Sequence, residues 1–120
     1  MIFNLLLFLT LGPIIEWGAH KFLHYCESNY HLSHHRRISL NIPEMEMWPL
    51  SLLILAYFLN SLSIFMGVMK YWLFHTIIHK KPKLLPSYTK HHMLHHKYKN
   101  YNFCVSNTWP DKLFGTYRDH

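Results

Sequence analysis

Apolar and polar stretches alternate along this 120-residue chain, and both polar stretches are crowded with histidine. Residues 2–15 and 47–78 are apolar, whereas residues 16–40 and 79–120 are polar. Glycine is scarce, with 4 in the whole chain, and neither apolar stretch alternates residue by residue as a half-buried strand would. The pattern therefore predicts an all-α integral membrane protein whose apolar helices carry a histidine-rich cap.

The second apolar stretch is too long for one membrane crossing. A continuous helix over residues 47–78 would measure about 48 Å, against a hydrocarbon core of about 30 Å, and would separate the two polar stretches. A hairpin that turns near Asn60 and Ser61 returns both to one side. We therefore expect a single domain over residues 1–120, with apolar spans at about 2–18 and, as a hairpin, about 43–79, and histidine-rich segments at 16–40 and 75–120.

The distribution of charge predicts which side of the membrane the histidines face. Lysine and arginine number 12 against 6 acidic residues, giving a net charge of +6. None lies in the first 20 positions, and only Lys70 falls between Asn41 and His79. Basic residues that flank apolar spans are typical of cytoplasmic segments, and no DNA-binding motif accompanies them. We expect a multi-pass membrane protein with its histidines on the cytoplasmic side and no nucleic-acid partner.

Ten of the 12 histidines form four short motifs. They are HxxxH at His20 and His24, HxxHH at His31, His34 and His35, HxxxH at His75 and His79, and HxxHH at His92, His95 and His96. Histidines three or four residues apart share a helical face and can bind one metal. In HxxHH the middle histidine lies about 100° from the last, so this motif can reach two ions. Ten imidazoles are too many for one tetrahedral zinc and suit two five-coordinate ions, of iron, copper or zinc.

Other metal and hydrolytic sites are excluded by missing motifs. The chain has no HExxH, no GxSxG elbow and too few carboxylates for a glutamate-rich di-iron bundle. Its two cysteines, Cys26 and Cys104, form no CxxC pair. Outside the four motifs, His91 is expected to be a solvated neighbour of the last motif. A di-metal site made of histidine alone is what remains.

In these motifs the chain resembles the fatty acid hydroxylase superfamily, which includes sterol desaturases, sphingolipid fatty acid hydroxylases and carotenoid hydroxylases. The resemblance covers about residues 16–118 and also includes Glu16 before His20, Lys90 before His92, and the run from Asn102 to Thr116. It implies two iron ions, for which zinc is a possible substitute, with O₂ as co-substrate. It also implies an external electron donor of the cytochrome b5 or ferredoxin type.

Three further polar residues are candidates for supporting the ligands. Glu16 lies one helical turn before His20 and could accept a hydrogen bond from that imidazole, which would fix its tautomer. Asn107 and Asp111 could act in the same way. Aromatic residues such as Trp17 and Tyr71 either line a lipid groove or anchor the helices at the membrane interface.

The resemblance implies O₂-dependent hydroxylation or desaturation of a membrane lipid such as a fatty acyl chain, a sphingolipid or a sterol. A carotenoid ring hydroxylase is an alternative, favoured by the HLSHH form of the second motif. A membrane protein that binds or transports a transition metal without catalysis is an alternative of another class. Whether the chain acts alone or as a homodimer stays open.

Overall fold

The computed structural model describes residues 1–26, 31, 34, 35 and 47–120. Its regular elements are α1 (Ile2–Tyr25), α2 (Met47–Phe58), α3 (Leu62–Lys80), a 3₁₀ turn (Pro82–Leu84), α4 (Pro86–Lys97) and α5 (Trp109–Leu113). The separately described His31, His34 and His35 are also helical. Since these residues include no strand, the predicted all-α class is confirmed for the described part of the chain.

Helix α1 is long and apolar enough to cross a membrane. Its 24 residues extend over about 36 Å, and only 11% of its most apolar window is buried within the protein. No other helix in the described ranges passes the same test, although Pro49–Phe58 is a shorter apolar helix. The helix continues past the predicted span to Tyr25, so that His20 and His24 lie on its last turns.

Helices α2 and α3 form an antiparallel pair. The turn between them contains Asn60, whose φ of 47° is a left-handed conformation that asparagine tolerates better than most residues. Ser61 then caps α3, because its hydroxyl accepts the amide N–H of Ile64 at 3.4 Å. The turn lies where the sequence predicts the hairpin, and α3 carries His75 and His79 towards its other end.

Helix α3 is the centre of the fold, because it packs against α1, α2 and α4. A small core of Tyr71, Ile78 and Val105 joins its histidine end to the loop after α4. The 3₁₀ turn and Pro86 at the first turn of α4 redirect the chain so that α4 lies beside α3. The fully buried residues of α4 are all histidines: His91, His92, His95 and His96.

Candidate metal centre

Five imidazoles from separate parts of the chain converge to form what is here called group A. Its members are His20 and His24 of α1, His31, His35, and His95 of α4. The Nε2 atom of His31 lies 2.9 Å from those of His20 and His24 and 3.1 Å from that of His35. The Nε2 atoms of His24 and His95 are 3.0 Å apart. All candidate ligand atoms of the group lie within 4.8 Å of one another.

A second set of five, here called group B, converges beside it. Four of its members, His34, His79 of α3, and His92 and His96 of α4, have candidate ligand atoms within 4.8 Å of one another. His75 of α3 is counted with them because its Nε2 atom adjoins those of His34 and His79. Successive Nε2 atoms are 3.2 Å apart for His34 and His75, 3.1 Å for His75 and His79, and 3.0 Å for His79 and His92. The Nε2 atoms of His92 and His96 are also 3.0 Å apart. The ten motif histidines are thus brought into two groups of five.

The two HxxHH motifs are shared crosswise between the groups. The second motif contributes its outer histidines to group A and its middle one, His34, to group B. The fourth motif does the reverse, with its outer histidines in group B and its middle one, His95, in group A. This division follows from the helical offset of the middle histidine, and it places the groups side by side, with the His35 and His96 ring centroids 4.6 Å apart.

The hydrogen bonds of group A show that its nitrogens suit a cation. The Nδ1–H of His95 donates to the carbonyl oxygen of Tyr101 at 2.6 Å, and that of His20 donates to the carbonyl of Phe103. In a neutral imidazole the Nε2 atom then carries a lone pair, which cannot donate. Lone pairs that converge at these distances repel each other unless a positive ion lies among them. The residues of this site therefore fit a metal.

The nitrogen separations also bear on coordination number. With metal–nitrogen bonds of about 2.1 Å, nitrogens about 3.0 Å apart subtend about 90° at the metal, whereas a tetrahedral site needs about 3.4 Å. Both groups have neighbouring Nε2 atoms 2.9–3.2 Å apart. Their geometry suits a five- or six-coordinate ion better than a tetrahedral one.

Burial keeps the histidines of α4 in the protonation state that metal binding requires. Burial, together with neighbouring imidazoles, holds the pKa of His92 and of His95 well below the ordinary histidine value. The same causes lower the pKa of His96 to about 2. These imidazoles are therefore neutral at pH 7, and they bind a metal without first losing a proton.

Glu16 supports the site by holding the loop that contains Val105 and Ser106. Its carboxylate accepts the amide N–H groups of Val105 and Ser106, at 2.6 and 3.0 Å, and the Ser106 hydroxyl at 2.7 Å. The predicted hydrogen bond from His20 to Glu16 is wrong, because the Nδ1–H of His20 donates to the carbonyl of Phe103 in that same loop. Glu16 thus fixes the loop that orients His20.

Asp111 holds the same loop from its other side. It accepts the amide N–H groups of Phe103 and Cys104, at 2.9 and 3.0 Å, and the Thr116 hydroxyl at 2.7 Å. Its fourth partner is the Nε2–H of His91, at 3.1 Å. His91 is only 5% exposed, so the prediction of a solvated neighbour is wrong. Its imidazole is a structural partner of Asp111.

The Asn107 side chain contacts the loop and α3 rather than the histidines. Its side-chain oxygen accepts a hydrogen bond from the Lys70 ammonium at 3.4 Å, and its side-chain N–H donates to the Ser106 hydroxyl at 3.2 Å. Within the described part of the chain these partners, and not an imidazole, are what the Asn107 side chain contacts. Asn107 therefore touches the loop only at Ser106 and positions the Lys70 side chain.

The sequence did not reveal the two backbone carbonyls that orient imidazoles directly, those of Tyr101 and Phe103. A carbonyl belongs to every residue, so no side chain marks it. The available signal was indirect: residues 102–106, which begin six positions after the fourth motif, are mostly apolar, and the structure buries all five. A buried run without regular structure must find other hydrogen-bond partners for its backbone groups.

Comparison with known proteins gives one finding. The model of the fatty acid hydroxylase family matches residues 5–116, a range that contains all four histidine motifs and the loop that Glu16 and Asp111 hold. Neither a search of curated proteins nor a search of solved structures found a match.

Proposed function

Because this chain belongs to the fatty acid hydroxylase family, we propose that it is a membrane-bound oxygenase that hydroxylates or desaturates a lipid at a di-iron centre. One observation carries the proposal: ten histidines lie in two adjacent groups of five, in which neighbouring Nε2 atoms are 2.9–3.2 Å apart. Family membership supports lipid oxidation in general, and the donor set supports the metal chemistry.

Groups A and B are assigned one iron each, with zinc able to bind in its place. Two such ions would supply the oxidising power that O₂-dependent cleavage of an unactivated C–H bond requires. The protein's own contribution is to hold neutral nitrogen ligands about 90° apart and to leave positions open for oxygen. It also keeps water away, since group members such as His20, His92 and His95 are almost fully buried.

Hydroxylation needs two electrons and two protons from outside, because one oxygen atom of O₂ enters the product and the other leaves as water. We assign these electrons to a separate donor of the cytochrome b5 or ferredoxin type. Lys80, Lys81 and Lys97 are exposed near the ends of α3 and α4 that carry group B. This basic surface offers a docking site for an acidic donor protein.

We further propose that α1 and the α2–α3 pair lie in the membrane as parts of one domain, with the histidine groups on the cytoplasmic side. The apolar exposed face of α1 and the basic residues that follow α3 support this topology. Cys26 is exposed at the end of α1, whereas Cys104 is buried. A membrane-impermeant maleimide should therefore label Cys26 only when the cytoplasmic face is accessible, and labelling from the other face would contradict the topology.

The activity is tested by supplying ¹⁸O₂ to membranes that contain the protein, a reduced electron donor and lipids of each class. We expect a lipid product that carries ¹⁸O or a new double bond, and we expect none from the His92→Ala variant. If the wild-type protein binds metal but oxidises no acyl, sterol or carotenoid lipid, the non-catalytic metal-binding function replaces this proposal.

A further inference from the structure

Asn102 lies between the two residues whose carbonyls orient histidines of group A. The carbonyl of Tyr101 accepts the Nδ1–H of His95 at 2.6 Å. The carbonyl of Phe103 accepts the Nδ1–H of His20. These two imidazoles are adjacent, with ring centroids 4.4 Å apart. Because the φ and ψ angles of Asn102 lie between the two carbonyls, its conformation sets their relative direction.

The backbone of Asn102 adopts a conformation that few residues tolerate. Its φ of 56° is left-handed, and among the described residues the other non-glycine residue with a positive φ is Asn60 in the hairpin turn. Asparagine adopts this conformation more readily than most residues that carry a Cβ, and glycine adopts it more readily still. Backbone conformation alone therefore does not account for an asparagine at this position.

The side chain of Asn102 is fully buried, and both of its N–H groups donate. They donate to the carbonyl of Arg118 at 2.7 Å and to that of His91 at 3.2 Å. The Asn102 Oδ1 accepts the Arg118 amide at 2.7 Å, and the Asn102 amide donates to the Thr116 carbonyl at 2.8 Å. His91 lies one helical turn before His95 on α4. Asn102 thus links the loop both to α4 and to residues 116–118.

This link differs from the contacts made by Glu16 and Asp111. Those two carboxylates accept amide N–H groups of residues 103–106, which begin after Asn102. The Tyr101 carbonyl precedes that stretch, at the end of a turn in which the Tyr101 amide donates to the Tyr98 carbonyl at 3.0 Å. Asn102 therefore connects the turn that carries one orienting carbonyl to the loop that carries the other.

We infer that Asn102 is a positioning residue for group A: it holds the two carbonyls that orient His20 and His95. The inference rests on the metal binding proposed above and assigns to one residue the orientation of ligands from two helices. An imidazole whose Nδ1–H is paired keeps one tautomer and binds metal better through Nε2. Because both carbonyls serve group A, its metal affinity should depend on Asn102 more than that of group B does.

The test uses the full chain loaded with Zn²⁺ in lipid nanodiscs, with ¹⁵N-labelled histidine. Nuclear magnetic resonance of the ring nitrogens reports the tautomer of each imidazole, and hydrogen exchange at Nδ1 reports its hydrogen bond. Asn102→Gly keeps the left-handed conformation and removes the side-chain bonds. In this variant the Nδ1–H groups of His20 and His95 should exchange about tenfold faster. Chelator competition followed by the same resonances should show about tenfold weaker Zn²⁺ binding at group A and little change at group B.

Two alanine variants separate this role from backbone strain. Asn60→Ala places alanine at the other left-handed asparagine, in the hairpin turn. It should leave the signals of His20 and His95 at their wild-type values. Asn102→Ala combines the same strain with loss of the side-chain bonds, so its effect on group A should be at least as large as that of Asn102→Gly.

A milder pair of variants perturbs Asn102 without replacing it, in case the Asn102 variants do not fold. Arg118→Pro removes the amide N–H that the Asn102 Oδ1 accepts, whereas Arg118→Ala keeps it. Both variants lose the guanidinium that lies over the Tyr98 and Tyr101 rings, so their difference isolates the amide. Exchange at the group A Nδ1–H groups should be faster in Arg118→Pro than in Arg118→Ala.

Wild-type exchange and Zn²⁺ affinity at group A in folded Asn102→Gly would overturn the inference, because Asn102 would then serve the turn alone. Equal weakening of both groups would overturn it too. If the Asn102 variants do not fold, identical exchange in the two Arg118 variants would do so. Zn²⁺ binding needs neither O₂ nor an electron donor. The inference can therefore fail while the oxygenase proposal stands, and a protein that oxidises no lipid can still confirm it.

Discussion

Groups A and B contain the same number of imidazoles but are supported in different ways. In group A, His20 and His95 are oriented by backbone carbonyls of one loop, which Glu16 and Asp111 hold in place. In group B, all the histidines except His34 lie on the facing sides of α3 and α4, beside the core residue Ile78. Group A thus depends on a polar network, and group B depends mainly on helix packing.

The Nδ1 atoms differ from one histidine to another. Those of His20 and His95 in group A donate to carbonyls. Those of His35 in group A and of His92 and His96 in group B are buried without a hydrogen-bond partner among the residues that the structure describes. An imidazole whose Nδ1–H is paired has a fixed tautomer and a more basic Nε2. Equal ligand numbers therefore need not give equal metal affinities, and we expect the two groups to respond differently to mutation.

The largest effect is expected from removing the middle histidine of each HxxHH motif. His95→Ala should deplete the metal of group A, although its motif contributes mainly to group B, and His34→Ala should do the opposite. Each variant should lose at least about 100-fold in activity, since loss of a supporting residue alone costs about 10–100-fold. Metal analysis with Mössbauer spectroscopy of iron-57 protein would detect which ion is lost. The crosswise division is contradicted if His95→Ala and His92→Ala deplete the same ion.

A smaller effect, mainly on group A, is expected from removing the Glu16 contacts that hold the loop. Glu16→Ala removes the acceptor for two amide N–H groups and one hydroxyl. It should weaken metal binding at group A by about 10–100-fold and change group B much less. Chelator competition at each site would measure this. Glu16→Gln is the matched control, because its side-chain oxygen can still accept the amides. Equal weakening of both groups would show that the loop does not serve group A in particular.

Low pH is expected to destabilise the metal-free protein through the histidines of α4. Because burial lowers the pKa of His92, His95 and His96, the unfolded chain binds protons that the folded chain does not. The free energy of unfolding should therefore fall as pH drops below about 6.5, by up to about 1.4 kcal/mol per pH unit for each such histidine. Thermal unfolding at several pH values would measure it. A stability that rises towards acid would contradict the neutral state of these imidazoles.

The smallest effect is expected at Asn107, which contacts neither group within the described residues. Asn107→Ala removes half-buried hydrogen bonds to Lys70 and to the Ser106 hydroxyl, so it should cost about 0.5–1.5 kcal/mol in stability for each bond. Metal binding at both groups should stay within experimental error of wild type. Calorimetry and chelator competition on the same sample would check both values. A selective loss of metal from group A would instead place Asn107 in the supporting network.

Local spacing explains what could be predicted from the sequence. The helices α1, α2 and α3 follow from the two apolar stretches, the hairpin turn from Asn60, and the division of each HxxHH motif from the helical repeat. The loop contacts could not be predicted in this way, because Glu16 meets the amide of Val105 across 89 residues. The prediction for His91 is wrong for the same reason, since its partner Asp111 lies 20 residues further along the chain.

The central claim is that the ten histidines hold two ions in separate nitrogen-only sites. X-ray absorption spectroscopy at the iron edge, combined with metal analysis of the wild-type protein loaded anaerobically with iron, tests it most directly. The proposed function predicts two irons per chain, each with about five nitrogen ligands near 2.1 Å. One metal per chain, a variable number, or a four-coordinate tetrahedral environment would contradict it.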